Sequence, residues 1–371
     1  MKTISFLTLA IILALFSGCK SQSQKTGAES VKAYNIDFNW GPGGPNGFAK
    51  PGLWADANPA DHVNWYAALG CNVIQSFAVS CNGYAWYKNG IVPEQPGLKF
   101  DFLTEQVKLA HLKNIKVFGY FCAGANTKWG LDHPDLSYGI PSSPHIPYTI
   151  QYLDYLCASI EDAIKKTDMD CVFIDWLWNP GTTMEPYPPL KWIECEQVMY
   201  SELMNQSFPG KDKITPEAEL QFRRKSIDRC WKRISESVKK TKPGCLIWLT
   251  SCQLTSKDIA GSEMLKEVDW VLNEAGDIAT TASVLNKLGI NTRLVTCLAN
   301  WNGQDPAKVI PAAIKEKVGL YGFTKPVLGS MMPPVDYYLS KSVDSLKGDE
   351  RNIAVLARAY NNLPANYVTL K

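Results

Sequence analysis

The sequence predicts an α/β protein of the (β/α)8 class, a TIM barrel, and two observations predict it. Eight short apolar runs with strand character follow one another along the chain, and segments with helical spacing separate them. About 340 of the 371 residues remain after an N-terminal leader, which is more than the roughly 250 of a bare barrel. Eight alternations favour a closed barrel over an open sheet, which usually has about five to seven strands.

The N-terminal end carries an export signal. One lysine precedes an apolar run, and small residues then lead to Cys19. The ending Phe16-Ser-Gly-Cys19 resembles a bacterial lipobox, which implies a lipoprotein signal peptide over residues 1–18 and lipidation of Cys19. An ordinary secreted protein cleaved near Gly18 is the alternative.

The polar residues 19–33 predict a tether, so the barrel domain is expected to span residues 34–371. A lipid on Cys19 would attach the chain to a membrane of the bacterial cell envelope. We expect the outer membrane, with the barrel in the periplasm or exposed at the cell surface.

The strands are recognised as apolar runs that stop at glycine, proline or polar clusters. The fourth is the clearest, because its four apolar residues Cys171 to Ile174 are typical of a parallel strand buried on both faces. The predicted strands are residues 34–40, 71–79, 115–121, 171–174, 244–250, 268–274, 291–298 and 319–323.

The helices are recognised by their end signals. Asn58 predicts an N-cap, Pro59 occupies the first turn, and Gly70 predicts the end of that helix. An insertion follows the fourth strand, and helices at the C-terminal end are expected to cover the barrel. The other predicted helices are residues 101–113, 148–166, 216–240, 277–288 and 305–318.

Composition argues against several functional classes. A net charge of +2 with 20% charged residues does not indicate a nucleic-acid partner. No Gly-rich phosphate loop follows a strand, the four histidines are scattered, and the eleven cysteines lack paired metal-binding spacings. We therefore expect no cofactor and no metal, and we expect buried thiols at Cys71, Cys122, Cys171, Cys245 and Cys297.

The residues after the strands predict a sugar-binding cleft. In a closed barrel the C-terminal strand ends share one rim, where chemistry takes place. Amides and broad rings at that rim suit an oligosaccharide or polysaccharide. The predicted substrate-binding residues are Asp37, Asn39, Trp40, Asn82, Tyr84, Tyr120, Trp176, Trp178, Gln253, Asn273, Asn300 and Trp301.

Two carboxylates follow apolar strand runs, and glycoside hydrolysis needs such a pair. Asp175 is the predicted nucleophile, and Glu274 is the predicted acid/base because its apolar neighbours would raise its pKa. A separation of about 5 to 5.5 Å would imply a retaining mechanism. Helix capping or a salt bridge is the alternative role for each carboxylate.

Other polar residues compete for the catalytic roles. Glu185, Glu194 and Glu196 lie in the insertion and are alternative acids, although a solvated loop or helix face is the simpler interpretation of them. His133 and His145 follow the third strand and are expected at the surface, where one of them could reach a sugar hydroxyl.

Several segments resemble the α-L-fucosidases of glycoside hydrolase family 29. The run Leu69 to Trp86 is similar to the family's second strand segment, Lys116 to Phe121 to its third, and Val172 to Trp176 to the strand with its nucleophilic aspartate. The resemblance implies a TIM barrel, a retaining mechanism and Asp175 as the nucleophile.

This sequence departs from the family at the sugar-binding histidines. Asn39-Trp40 stands where the family has His-Trp, and Val79 to Tyr84 stands where it has Lys-His-His-Asp-Gly-Phe. A nucleophile on strand four with an acid on strand six also resembles α-galactosidase and α-glucosidase barrels.

The leading hypothesis is a retaining glycosidase that acts on α-linked sugars of envelope, dietary or host glycans. A weakly active or inactive glycan-binding lipoprotein is the alternative, motivated by the absent histidines. A different barrel hydrolase, such as an amidase or deacetylase, is a third class, but the sequence shows neither a metal cluster nor a Ser-His pair at strand ends.

Overall fold

Eight parallel strands close into a barrel in sequence order, which confirms the predicted fold class. The computed structural model describes residues 30–140, 143–177, 190–251, 257–260, 262–287, 292–299 and 303–363. The strands are β1 Lys32–Ile36, β2 Val73–Phe77, β3 Lys116–Cys122, β4 Cys171–Asp175, β5 Leu246–Ser251, β6 Trp270–Asn273, β7 Arg293–Cys297 and β8 Gly319–Thr324.

Helices follow the strands and form the outer layer of the barrel. The helices that follow β1 to β4 are α1 Pro59–Leu69, α2 Phe102–His111, α3 Thr127–Asp132, α4 Ile150–Thr167, α5 Glu194–Met204 and α6 Pro216–Thr241. Those that follow β5 to β8 are α7 Lys257–Ala260, α8 Met264–Glu267, α9 Ile278–Lys287, α10 Pro306–Lys315, α11 Val335–Leu339 and α12 Gly348–Asn362.

The first strand differs from its prediction at both ends. It begins at Lys32, so residues 32 and 33 belong to the barrel and not to the tether. It ends at Ile36, because its pairing with β8 stops at the Ile36–Thr324 pair. The backbone N–H of Asp37 still donates to the Thr324 carbonyl at 2.9 Å. Asp37 is therefore the first residue beyond β1, at the rim.

The end signals of the helices act as predicted. Asn58 accepts the Ala60 N–H at 2.9 Å, and Gly70 ends α1 in the left-handed region at φ 88°. Asp305 caps α10 in the same way, through the Ala307 N–H. In the predicted insertion after β4, the described residues 190–215 include α5.

The C-terminal helices cover part of the barrel, as predicted. Helix α12 packs against β8 and α1, and its apolar face is buried. The Tyr360 hydroxyl oxygen lies 2.7 Å from the Ala33 carbonyl oxygen and 3.1 Å from that of Leu320, so its one proton can be donated to either. This side chain therefore ties α12 to the seam between β1 and β8.

Aromatic rings fill the barrel interior. Trp248 packs edge-on against Phe173, with ring centroids 4.9 Å apart, and against Tyr321 at 5.5 Å. The Arg293 guanidinium lies over the Trp270 ring at 5.1 Å. The barrel interior is therefore a packed core rather than a pore.

The described cysteines are all free and buried, which confirms the buried-thiol prediction for the five strand cysteines. No helix within the described part of the chain is both long and apolar enough to cross a membrane.

Candidate active site

Three carboxyl groups lie at the C-terminal rim of the barrel. Asp175 is the last residue of β4, Glu274 directly follows β6, and Asp37 directly follows β1. Because the strands are parallel and closed, these three positions share one face. The charges of Glu274 and Asp37 both raise the pKa of Asp175, so the three groups interact electrostatically.

Asp175 accepts one hydrogen bond on each carboxylate oxygen. The Tyr120 hydroxyl donates to Oδ2 at 2.6 Å, and the Trp176 backbone N–H donates to Oδ1 at 2.9 Å. Burial, followed by the charge of Glu274, raises the pKa of Asp175 well above its usual range, and the two donors oppose that rise. A raised pKa at Asp175 was not predicted from the sequence.

Trp176 holds a strained backbone immediately after Asp175. Its φ of 54° lies in the left-handed region, which is uncommon for a bulky residue. The Tyr148 hydroxyl donates to the Trp176 carbonyl at 2.6 Å. Gly124 makes room for this carbonyl, because a Cβ at residue 124 would lie 2.7 Å from it.

An aromatic wall formed by Trp40, Phe48 and Trp176 stands beside Asp175. The Phe48 ring centroid lies 5.0 Å from that of Trp40 and 5.9 Å from that of Trp176. The His145 ring packs on Trp176 at 5.2 Å. His145 is buried, so the expectation that it lies at the surface is wrong for this residue, whereas His133 is exposed as expected.

Asp37 is a buried carboxyl at the floor of the rim. Its Oδ1 accepts the Asn39 N–H at 2.6 Å. Burial raises the pKa of Asp37 to about 6, opposed by the backbone N–H groups of Asn39 and Trp40 and by the charge of Lys325. Because β1 ends at Ile36, Asp37 lies at the mouth of the barrel and not within the strand, where the sequence predicted it.

The amides predicted to bind substrate make hydrogen bonds within the protein. Asn39 Oδ1 accepts the Cys81 N–H at 2.8 Å. Asn82 pairs with Gln95, whose Nε2 donates to its Oδ1 at 3.1 Å, and it also accepts the N–H of half-buried Tyr84. Asn273 shapes the turn after β6, because its Oδ1 accepts the Gly276 N–H at 2.9 Å.

The alternative acid Glu196 is buried rather than solvated, which corrects the simpler interpretation of it. It accepts the Tyr138 hydroxyl at 2.5 Å and the Ile193 N–H at 2.9 Å, the latter as part of the capping box of α5. Burial raises the pKa of Glu196. Glu194 is exposed at the first residue of α5, as a helix-face role predicts.

Some predicted residues cannot be placed, and others were missed. Those outside the described residues are Cys19, Trp178, Glu185, Gln253, Asn300 and Trp301. Phe48, Cys81 and Tyr148 lie at the site but were not predicted there. No periodicity or motif marks them, because loops bring them to the rim. No group of three or more His, Cys, Asp or Glu side chains suited to a metal occurs within the described ranges.

The chain has partial similarity to one protein family. The sequence model of a family described as hypothetical glycosyl hydrolase 6 matches residues 58–176, which is less than half of the 371-residue chain. The matched segment includes Tyr120 and Asp175. A search of curated protein sequences found no match.

Solved structures of other barrels superpose on most of the chain at low identity. An alpha-L-fucosidase, isoenzyme 2 of Paenibacillus thiaminolyticus, has a TM-score of 0.64 and 15% identity, over 90% of this chain and 49% of that one. The glycoside hydrolase domain of PgaB (BpsB) from Bordetella bronchiseptica has a TM-score of 0.56 and 10% identity, over 80% of this chain and 93% of that domain. A beta-galactosidase of Bacillus circulans sp. alkalophilus has a TM-score of 0.55 and 12% identity, over 91% of this chain and 57% of that one.

The chain thus spans about half of the Paenibacillus enzyme and nearly all of the Bordetella domain. At these identities the likeness establishes the fold alone. This protein is a (β/α)8 barrel on a scaffold that it shares with glycosidases, and one segment of it resembles a glycosyl hydrolase family.

Proposed function

We propose that this protein is a retaining glycoside hydrolase acting on α-linked sugars, with Asp175 as nucleophile and Glu274 as acid/base. The observation that carries the proposal is the placement of these two carboxyl groups at one rim of the barrel, Asp175 at the end of β4 and Glu274 directly after β6. Glycoside hydrolysis requires two carboxyl groups that flank the scissile bond, one ionised and one protonated.

The proposed reaction has two steps. Asp175 attacks the anomeric carbon while Glu274 gives its proton to the glycosidic oxygen, which leaves a glycosyl ester on Asp175. Glu274 then removes a proton from water, and that water attacks the anomeric carbon and releases Asp175. Both residues thereby return to their starting states.

The hydrogen bonds support this assignment of roles. Two interacting carboxyl groups lose their protons in steps, and one proton remains on the pair at intermediate pH. Donors from Tyr120 and Trp176 favour the charge on Asp175, and in our proposal the shared proton resides on Glu274. A charged nucleophile and a protonated acid are the states that the first step needs.

The proposal for the sugar rests on a ring at the rim and on a structural neighbour. Half-buried Trp40, whose ring packs on Phe48, offers a flat surface for a sugar ring, and the Paenibacillus alpha-L-fucosidase shares the fold. We propose an α-L-fucosidase-like enzyme of family 29 type, with the sugar gripped differently because Asn39 and Cys81 replace expected histidines. The substrates are envelope, dietary or host glycans.

We also propose that lipidated Cys19 anchors the enzyme to an envelope membrane. The support is the lipobox-like ending before Cys19 and the polar stretch after it. The tether joins β1 at its N-terminal end, and the rim lies at the opposite end of the barrel. This arrangement leaves the mouth open to glycans.

A panel of nitrophenyl glycosides, followed by glycan mixtures, tests the proposed activity. We expect Asp175→Asn to lower turnover of the best aryl glycoside by at least about a thousandfold, since no covalent intermediate can form. Glu274→Gln should retain a slow first step with a good leaving group, and azide should restore its second step. Wild-type turnover in Asp175→Asn would refute the proposal.

A non-catalytic glycan-binding protein is the second candidate, favoured by the absent histidines. Calorimetric titration with glycans separates the two. Sugar binding by the wild-type chain with no product after days of incubation would support the binding protein. Product release that depends on Asp175 would exclude it.

A further inference from the structure

A series of contacts leads from Asn39 to the nucleophile. Asn39 Oδ1 accepts the Cys81 N–H at 2.8 Å, and Cys81 Sγ lies 3.3 Å from the Tyr120 hydroxyl oxygen. That hydroxyl donates to Asp175 Oδ2 at 2.6 Å. Asn39, Cys81 and Tyr120 are all buried, so the series is shielded from competing water.

The proton count fixes the direction of these bonds when Asp175 is ionised. A tyrosine hydroxyl has one proton, and Tyr120 gives it to the carboxylate. The Cys81 thiol is then the donor to the Tyr120 oxygen. Burial raises the pKa of the Cys81 thiol, which keeps that thiol protonated. Both donors therefore point towards Asp175.

We propose that Tyr120 is a positioning residue that holds the negative charge on Asp175, and that Cys81, itself fixed by Asn39, orients the Tyr120 hydroxyl. The proposal rests on the proposed function, in which Asp175 is the nucleophile. The Tyr120 ring packs between Phe77 and Phe173, with centroids 5.0 and 5.8 Å away, so it cannot turn from the carboxylate without repacking.

The proposal gives new roles to residues that the sequence assigned to the sugar. Asn39 and Tyr120 were both expected to contact substrate, and their polar groups instead support the nucleophile. Cys81 lies in the stretch where family 29 carries its histidine pair. In this proposal the substrate is held by other groups at the rim, such as half-buried Trp40.

Several groups compete to set the protonation of Asp175. Glu274 after β6 and Asp37 after β1 oppose its charge, while Tyr120 and the Trp176 N–H favour it. The thiols of Cys81 and Cys122 face Tyr120 from the β2 and β3 sides. Loss of the Tyr120 hydroxyl leaves the two opposing carboxylates with one donor against them, so the pKa of Asp175 should rise.

Carbon NMR of the full chain, labelled with ¹³Cγ-aspartate, tests the proposal without any substrate. Asp175→Asn identifies the signal of Asp175. We expect Tyr120→Phe to raise its titration midpoint by about one pH unit. Tyr360→Phe is the matched control, because it removes a buried hydroxyl that contacts the Ala33 and Leu320 carbonyls rather than the carboxylate or its neighbours. An unchanged or lower midpoint in folded Tyr120→Phe overturns the proposal.

Two Cys81 variants test the remainder of the series. Cys81→Ala should raise the midpoint in the same direction but less than Tyr120→Phe does, and Cys81→Ser, which keeps a donor, should stay near wild type. An unshifted midpoint in Cys81→Ala overturns the role given to Cys81. If no glycoside is turned over, the proposed function fails, while the NMR midpoints still decide the role of Tyr120.

Discussion

At the scale of single residues, the left-handed backbone of Trp176 fixes the geometry next to Asp175. Its N–H donates to the carboxylate, its carbonyl accepts from Tyr148, and its ring joins the aromatic wall. The backbone conformation of this one residue thereby fixes the positions of its N–H, its carbonyl and its ring. Such strain persists when the surroundings over-determine it, and here Gly124 supplies the required space.

Gly124→Ala should disturb this residue. Its Cβ would lie 2.7 Å from the Trp176 carbonyl oxygen, so the backbone must shift. We expect a loss of about 1–3 kcal/mol of unfolding free energy and at least a tenfold loss of turnover. Urea unfolding measures the change in unfolding free energy, and an aryl glycoside assay measures the change in turnover. Gly244→Ala, where a Cβ meets nothing within 4 Å, is the control and should change neither.

Asp37 should make stability depend on pH. Folding raises its pKa from 3.8 to about 6, so the folded state binds the proton more tightly and stability falls as pH rises through that window. Asp37→Asn removes this penalty. We expect the variant to gain on the order of 1–3 kcal/mol relative to wild type between pH 4 and pH 7.5 in urea titrations. A difference that is constant with pH would contradict the raised pKa.

At the scale of secondary structure elements, α5 shows how a glutamate can be structural rather than catalytic. Glu196 lies at the third position of α5, where it caps the helix start and receives the Tyr138 hydroxyl. Its partners belong to the loop before α5 and to the loop after β3. Glu274 instead follows a strand end at the rim, where its charge acts on Asp175.

Glu196→Ala should therefore lower stability. It leaves the Tyr138 hydroxyl and the Ile193 N–H without their acceptor in a buried place, which costs about 2–4 kcal/mol. Turnover per folded molecule should stay within about twofold of wild type. Glu194→Ala, at the exposed neighbour, should be within about 0.5 kcal/mol of wild type. A catalytic defect in folded Glu196→Ala would contradict the structural role and support Glu196 as the catalytic acid.

At the scale of the whole molecule, the proposed function separates membrane attachment from catalysis. The chain enters β1 at one end, and the carboxylates meet at the other. We expect Cys19→Ala to move the protein from the membrane fraction to the soluble fraction without changing turnover of an aryl glycoside. Fractionation and mass spectrometry of the N-terminal peptide check this, and membrane retention of the variant would contradict the anchor.

The sequence by itself determined the barrel and the strand that carries Asp175. The positions of strands and helix ends along the chain are local properties. The apolar period acts on neighbouring residues, and so do the capping residues Asn58, Gly70 and Asp305. Parallel closure then places the C-terminal ends of all strands on one rim, so the sequence predicts Asp175 and Glu274 at the same rim.

The tertiary structure decided what those residues contact. Tyr120, Cys81 and Asn39 come from three different strand ends or loops, and no spacing in the chain shows that they join at Asp175. The same holds for burial, which made Glu196 a structural residue and raised the pKa of Asp175. Hydrogen-bond partners and desolvation depend on packing between distant segments, and the local pattern of a sequence does not encode them.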